Sequence, residues 1–236
     1  MERSEHKSTG RIYPASAFGG CRDSSSTVLI VAAVPQELQN FRLQRVAGVS
    51  CLVTGMGRRS AEAVRQRLSL GDVGLVVSAG FAGGLRPGFK VGDLVMASEV
   101  IQASSGERRT PDSSFFGLDG PASVGPFVTV ERVLSDPQAK SETGVRFGAI
   151  AADMETAAVA QSAEAAGVAW VAVRAILDPM EFPLRIGSPA QALRRMASPG
   201  GWKEFSEFLQ MIRTASRSLA DGLNLLVERR NSDGSG

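Results

Sequence analysis

Thr27-Val-Leu-Ile-Val-Ala-Ala33, followed at once by Val34-Pro35-Gln-Glu37-Leu38, reads as a buried strand that hands over to the first turn of a helix. The run is apolar without alternation, the pattern of a strand covered on both faces. Proline suits a first helical turn, and an acid there complements the positive end of the helix. The same grammar recurs outward. Val49-Ser-Cys-Leu-Val53 runs into Thr54-Gly-Met-Gly57 and a helix from Ser60 to Leu68, with Ala61, Val64 and Leu68 at helical spacing. A third strand, Val73 to Ala79, ends in Gly80-Phe-Ala-Gly-Gly-Leu85, and Val91 to Ala97 reads as a fourth. The stretch from Gln102 to Pro126, rich in Ser, Gly, Pro and Asp, is expected to be a long surface loop bearing Phe115 and Phe116. Beyond it come a strand at Phe127 to Val130, a polar segment to Thr143, the run Ala149 to Ala152, and a helix from Met154 to Ala166 capped by Gly167. Val168 to Ile176 is a further buried strand. From Trp202 to Val227, Phe205, Phe208, Leu209, Ile212, Leu219, Leu223 and Leu226 form an amphipathic helical stripe.

Alternating buried strands and helices imply an α/β fold, a single domain with a central, mostly parallel or mixed twisted sheet flanked by helices. Residues 27–230 are assigned to that domain, 1–26 to a disordered leader and 231–236 to a flexible tail. Length agrees, since 236 residues fit one large α/β unit. The 26 basic and 24 acidic residues leave a net charge of +2, without the basic stripe that tracks nucleic acid. No apolar run approaches the roughly 20 residues that span a bilayer, and the leader lacks the apolar core of a secretory signal.

Side-chain inventory narrows the chemistry. The single histidine, His6, lies in the leader, which makes a Ser-His-Asp or Cys-His unit improbable. Two cysteines, Cys21 and Cys51, supply neither a zinc set nor a disulfide framework, and a cytoplasmic setting without metal or other cofactor fits them. In open α/β sheets ligands bind beyond the carboxyl ends of the strands, and three carboxylates fall there. Glu37 follows the first strand, Glu155 opens a helix after the Ala149 run, and Asp178 closes the Val168 strand ahead of Pro179. Each could instead complement a helix terminus or shape a turn. Arg174 lies within an apolar strand and needs a buried carboxylate partner, for which Glu155 is the candidate. Gly55-Met-Gly57 resembles a dinucleotide-binding turn, but Ser60 occupies the third glycine position and the expected acid is missing.

Thr54-Gly-Met-Gly57, Gly80-Phe-Ala-Gly-Gly-Leu85 with Val91-Gly-Asp-Leu94, Asp153-Met-Glu-Thr-Ala157 and Val173-Arg-Ala-Ile-Leu-Asp178 stand in the order seen in purine nucleoside phosphorylases and nucleosidases. From Val28 to about Val227 the chain resembles that superfamily, in particular the branch of methylthioadenosine/S-adenosylhomocysteine nucleosidases and hopanoid-associated phosphorylases. The resemblance implies cleavage of the N-glycosidic bond of a purine nucleoside, with adenine as the expected base, by water or phosphate. The alternatives are phosphorolysis of a lipid-linked adenosine and a non-catalytic nucleoside binder on the same fold. It also implies roles. Asp178 matches the acid that serves purine N7, Glu37 the glutamate that activates water, Glu155 the acceptor of the ribose hydroxyls and Met154 the side chain beneath the sugar. Arg174 matches the partner that positions Glu155, Gly80 and Phe81 belong to the substrate-binding glycine string, and Val133 and Leu134 fall where apolar residues face the base. Phe81 and Leu177 replace serines of the adenosine-type nucleosidases, and Ser78 replaces the phosphate-binding arginine of phosphorylases. A phosphate site could still involve Gly57, Arg58, Arg59 and Ser78. The nucleosidase branch further implies a homodimer.

Overall fold

The structure, a computed structural model, describes residues 11–13, 27–41, 48–56, 59–115, 122–181 and 201–233. Among these residues nine strands form one mixed sheet: β1 (Arg11–Tyr13), β2 (Thr27–Ala32), β3 (Val49–Val53), β4 (Val73–Gly84), β5 (Leu94–Gln102), β6 (Arg108–Arg109), β7 (Ser123–Thr129), β8 (Ala151–Asp153) and β9 (Ala169–Asp178). Among the described residues four helices accompany them: α1 (Arg59–Leu68), α2 (Pro137–Phe147), α3 (Thr156–Ala165) and α4 (Gly201–Asp233). The parallel core β3-β2-β4-β9 is the part dictated by apolar runs, with Ile30 beside Cys51 on one side and Val77 on the other.

Strand β4, at 12 residues, outruns β2, and its far end turns the sheet into a ring. Gly83 and Gly84 pair antiparallel with Ala152 and Ala151 of β8, β8 pairs with β7, β7 with β5, β5 with β9, and β9 returns to β4. Closure of this kind removes strand edges.

Both faces of the parallel core are covered, as the unbroken apolar runs require. Val28 and Ile30 join Val77, Val171 and Val173 under α4, whose Ala215, Leu219, Leu223 and Leu226 are fully buried. The alternate residues, Leu29, Val31 and Val76, pack with Trp170 against Val64 and Leu68 of α1 and Val159 and Ala163 of α3. Each fully buried leucine contributes about 1.5–3 kcal/mol of transfer free energy.

Several elements differ from the sequence reading. Arg11–Tyr13 of the leader pairs antiparallel with Val53–Cys51, because β3 otherwise presents an open edge of backbone donors and acceptors. The expected leader therefore contributes a strand; the rest of residues 1–26 lies outside the described residues. Helix α4 continues to Asp233, into the expected tail. The helix expected at Pro35 is a 3-10 turn over Pro35–Glu37, and the loop from Gln102 contains β6 and leads into β7, which begins at Ser123. The polar segment up to Thr143 is α2. Asp136 caps it by accepting from the Ala139 N–H, Pro137 occupies its first turn, and Gly148 at φ 64° closes it.

Candidate active site

Strands β2, β4 and β9 run parallel, and the chain beyond the carboxyl ends of β2, β8 and β9 carries the acidic residues. Glu37 folds back from the 3-10 turn after β2. Its Oε2 accepts from the N–H groups of Ala33 (2.8 Å) and Val34 (3.0 Å), and its Oε1 accepts from the Phe81 N–H at 3.0 Å. The carboxyl can lie there because residue 80 is glycine: a Cβ at Gly80 would stand 2.6 Å from Glu37 Oε1. Burial raises the Glu37 pKa, against the Val34 and Phe81 N–H groups, the Arg174 guanidinium and the Ala33 N–H, which favour the ionised form.

Arg174 of β9 pairs in register with Gly80 and is buried. Its Nε and Nη2 donate to Asp153 Oδ2 at 3.0 and 2.6 Å, its Nη1 donates to the Ser78 and Val173 carbonyls, and its Nη2 also donates to the Ser78 and Thr156 hydroxyls. All five N–H groups of the fork are engaged. The carboxylate partner of Arg174 is thus Asp153 and not the expected Glu155. Asp153 ends β8 with its side chain turned inward, where it also accepts from the hydroxyls of Thr129 and Thr156. Glu155, two residues on, is half-buried at the start of α3. It lines, with Glu37, Thr54, Ser78 and Arg174, a cavity of about 10 Å³, close to the smallest that holds one water.

Asp178 closes β9, beside Gly83 of β4, and is 5% exposed. Its Oδ2 lies 2.6 Å from Nζ of Lys140, a fully buried lysine on α2 that also donates to the Asp178 and Pro179 carbonyls at 3.4 and 3.0 Å. The other oxygen, Oδ1, is buried without a hydrogen-bond partner among the described residues. Burial pushes the Asp178 pKa up to about 6, although the hydrogen bond and charge of Lys140 pull it down.

The structure brings together Glu37, Gly80, Ser78, Arg174 and Glu155, and places Asp178 further along β9. Ser78 is buried, with its hydroxyl accepting from Arg174. Met154 is half-buried between Asp153 and Glu155. Phe81 offers its N–H to Glu37, while its side chain packs on the cluster beneath α4, as does that of Leu177. Leu134 packs on a small cluster with Leu85 and Val128, and Val133 is half-exposed. Gly57, Arg58 and Phe116 lie outside the described residues, as do the side chains of Arg59 and Phe115. Cys51 is buried in β3 and its thiol is pushed up to about 12, so it offers no thiolate. Sequence reading missed Asp153 and Lys140. Asp153 is adjacent to a residue that was chosen, and Lys140 required the helix signals of Asp136, Pro137 and Gly148.

The mixed α/β fold agrees with the family comparison. The family model described as "Phosphorylase superfamily" matches residues 35–122 and 117–223, and the chain belongs to that superfamily. The expectation of an enzyme of nucleosidase or phosphorylase type agrees with that membership. The fold is similar to that of the Helicobacter pylori 5′-methylthioadenosine/S-adenosylhomocysteine nucleosidase complexed with butyl-thio-DADMe-Immucillin-A, at 17% identity and a TM-score of 0.69 over 88% of this chain and 100% of that one. It is likewise similar to the Neisseria meningitidis nucleosidase of the same name (20% identity, TM-score 0.66, covering 86% and 99%). Futalosine hydrolase of Helicobacter pylori is a third neighbour (17% identity, TM-score 0.67, covering 86% and 98%). No curated protein matches the sequence. No helix among the described residues is long and apolar enough to cross a membrane.

Proposed function

We propose that the protein hydrolyses the N-glycosidic bond of a purine nucleoside, with adenine as the base, and that it acts as a cytoplasmic homodimer. The observation that carries the chemistry is a pair of buried carboxyls, both shifted upward by burial, that differ in what holds them. Glu37 is clasped by three backbone N–H groups, which offset part of the upward push of burial and favour the ionised form that a base needs. Asp178 is raised to about 6 and keeps a proton closer to neutrality than an ordinary aspartate, as an acid requires.

In the reaction, a water oxygen bonds to C1′ while the C1′–N9 bond breaks and its electron pair leaves with the base. Glu37 accepts the water proton, and Asp178 gives its proton to N7. Free base and free sugar result, and proton exchange with solvent resets the two carboxyls. Glu155 takes the sugar hydroxyls, with Met154 beneath the ring, and the Asp153–Arg174 pair supports the segment that carries both. Phe81, Val133 and Leu134 are assigned to contacts with the base.

Water is favoured over phosphate by Ser78, which stands where phosphorylases carry an arginine and whose hydroxyl is engaged by Arg174. Incubation with adenine nucleosides, with and without phosphate, tests the reading: free base and free sugar should form without phosphate. Glu37→Gln should abolish the reaction while leaving substrate binding largely intact. Strict phosphate dependence with a sugar-1-phosphate product would make the chain a phosphorylase and bring Gly57, Arg58 and Arg59 into the site.

A further inference from the structure

Lys140 is a lysine with no exposed surface, carried on α2 and not on β9, the strand that holds Asp178. Burying an ammonium is costly unless it is paired, and its pairing is lopsided. It contacts Oδ2 of Asp178 at 2.6 Å and the carbonyls of Asp178 and Pro179, while Oδ1 of the same carboxyl is buried and unpartnered among the described residues. An ammonium has donors only. A carboxyl oxygen that accepts from it is a poor place for a proton, so a proton on Asp178 belongs on Oδ1.

We propose that Lys140 is a positioning residue for the leaving-group acid: it holds Oδ2 of Asp178, directs the acidic proton to Oδ1, and compensates the carboxylate left when that proton passes to the departing base. The assignment rests on the nucleosidase reading for the identity of the proton acceptor. Proton and charge balance within the step: the O–H bond of Oδ1 breaks, an N–H bond forms on the base, and the new negative charge on Asp178 faces the ammonium already in place. Such a charge strengthens the acid, offsetting part of the effect of burial. Among the described residues no other charged side chain competes for Asp178. Arg174, on the same strand, is taken up by Asp153, and Glu181 accepts from the Gly88 N–H.

The test combines two substrates with a direct titration. In Lys140→Met the ¹³C-NMR midpoint of the Asp178 carboxyl should move upward by about one pH unit or more. The pH at which kcat/KM declines should rise with it. Maximal turnover of an adenine nucleoside should fall about tenfold or more. Cleavage of 4-nitrophenyl β-D-ribofuranoside, whose leaving group departs without a proton, should change by no more than about threefold, the contrast a lost proton donor predicts. Lys140→Gln, nearly the same length but uncharged, repeats the measurement if the methionine variant fails to fold. An unmoved Asp178 midpoint, or equal losses on both substrates, would overturn the assignment. If the native protein releases base from no nucleoside, the nucleosidase reading fails, and the NMR midpoint alone then decides whether Lys140 governs Asp178.

Discussion

At the residue scale the site depends on where side chains are missing as much as on where they are present. Gly80 is the clearest case, since the space a Cβ would occupy is taken by Glu37 Oε1. The Glu37 carboxyl cannot simply swing aside, because three N–H groups hold it. Gly80→Ala should therefore leave the fold intact, as judged by circular dichroism, and lower turnover by about 10²-fold through displacement of the carboxyl proposed as the base. Turnover within a few-fold of native would show that Glu37 tolerates the shift and is not held where the reaction needs it. Asp178 also links protonation to stability. Its folded-state pKa, about 6, lies above the ordinary carboxylate value. The stabilisation from binding that proton is fully present below about pH 4 and lost as pH rises through about 6.

At the element scale the decisive piece is α2, which was legible in its caps but not in its hydrophobicity. Read for apolar periodicity, Pro137–Phe147 is polar; read for Asp136, Pro137 and Gly148, it is a helix with both ends marked. What brings it close enough for Lys140 to reach Asp178 is Gly144, one turn further on the same face, where a Cβ would stand 2.6 Å from the Leu85 carbonyl oxygen. Alanine is intrinsically better in a helix by about 1 kcal/mol, but here the obstacle is backbone and the helix must move. Gly144→Ala should lower stability by about 1–3 kcal/mol in urea denaturation. It should also shift the Asp178 midpoint upward, because the ammonium retreats with the helix. A more stable protein with an unchanged midpoint would show that α2 has slack.

For the whole molecule, the described chain closes its own sheet into a ring and covers both faces of the parallel core. The homodimer is accordingly expected to use surface outside that core. Light scattering at micromolar concentration should give twice the chain mass, and a monomer alone would count against the assembly.

The apolar runs Thr27–Ala33, Val49–Val53, Val73–Ala79 and Val168–Ile176 determined the parallel core by themselves, because an unbroken hydrophobic strand is stable only between two covering layers. The order of glycine strings and acids likewise marked Glu37, Glu155 and Asp178, since strand ends can be read locally. Tertiary structure alone decided the pairings. Arg174 and Asp153 meet across 21 residues of chain, and Lys140 meets Asp178 across 38. Which of two nearby carboxylates faces an arginine depends on strand register and on the turn into α3, and a buried lysine is indistinguishable in sequence from one in water. Those choices are made by packing, where a buried charge must find its partner within hydrogen-bond reach.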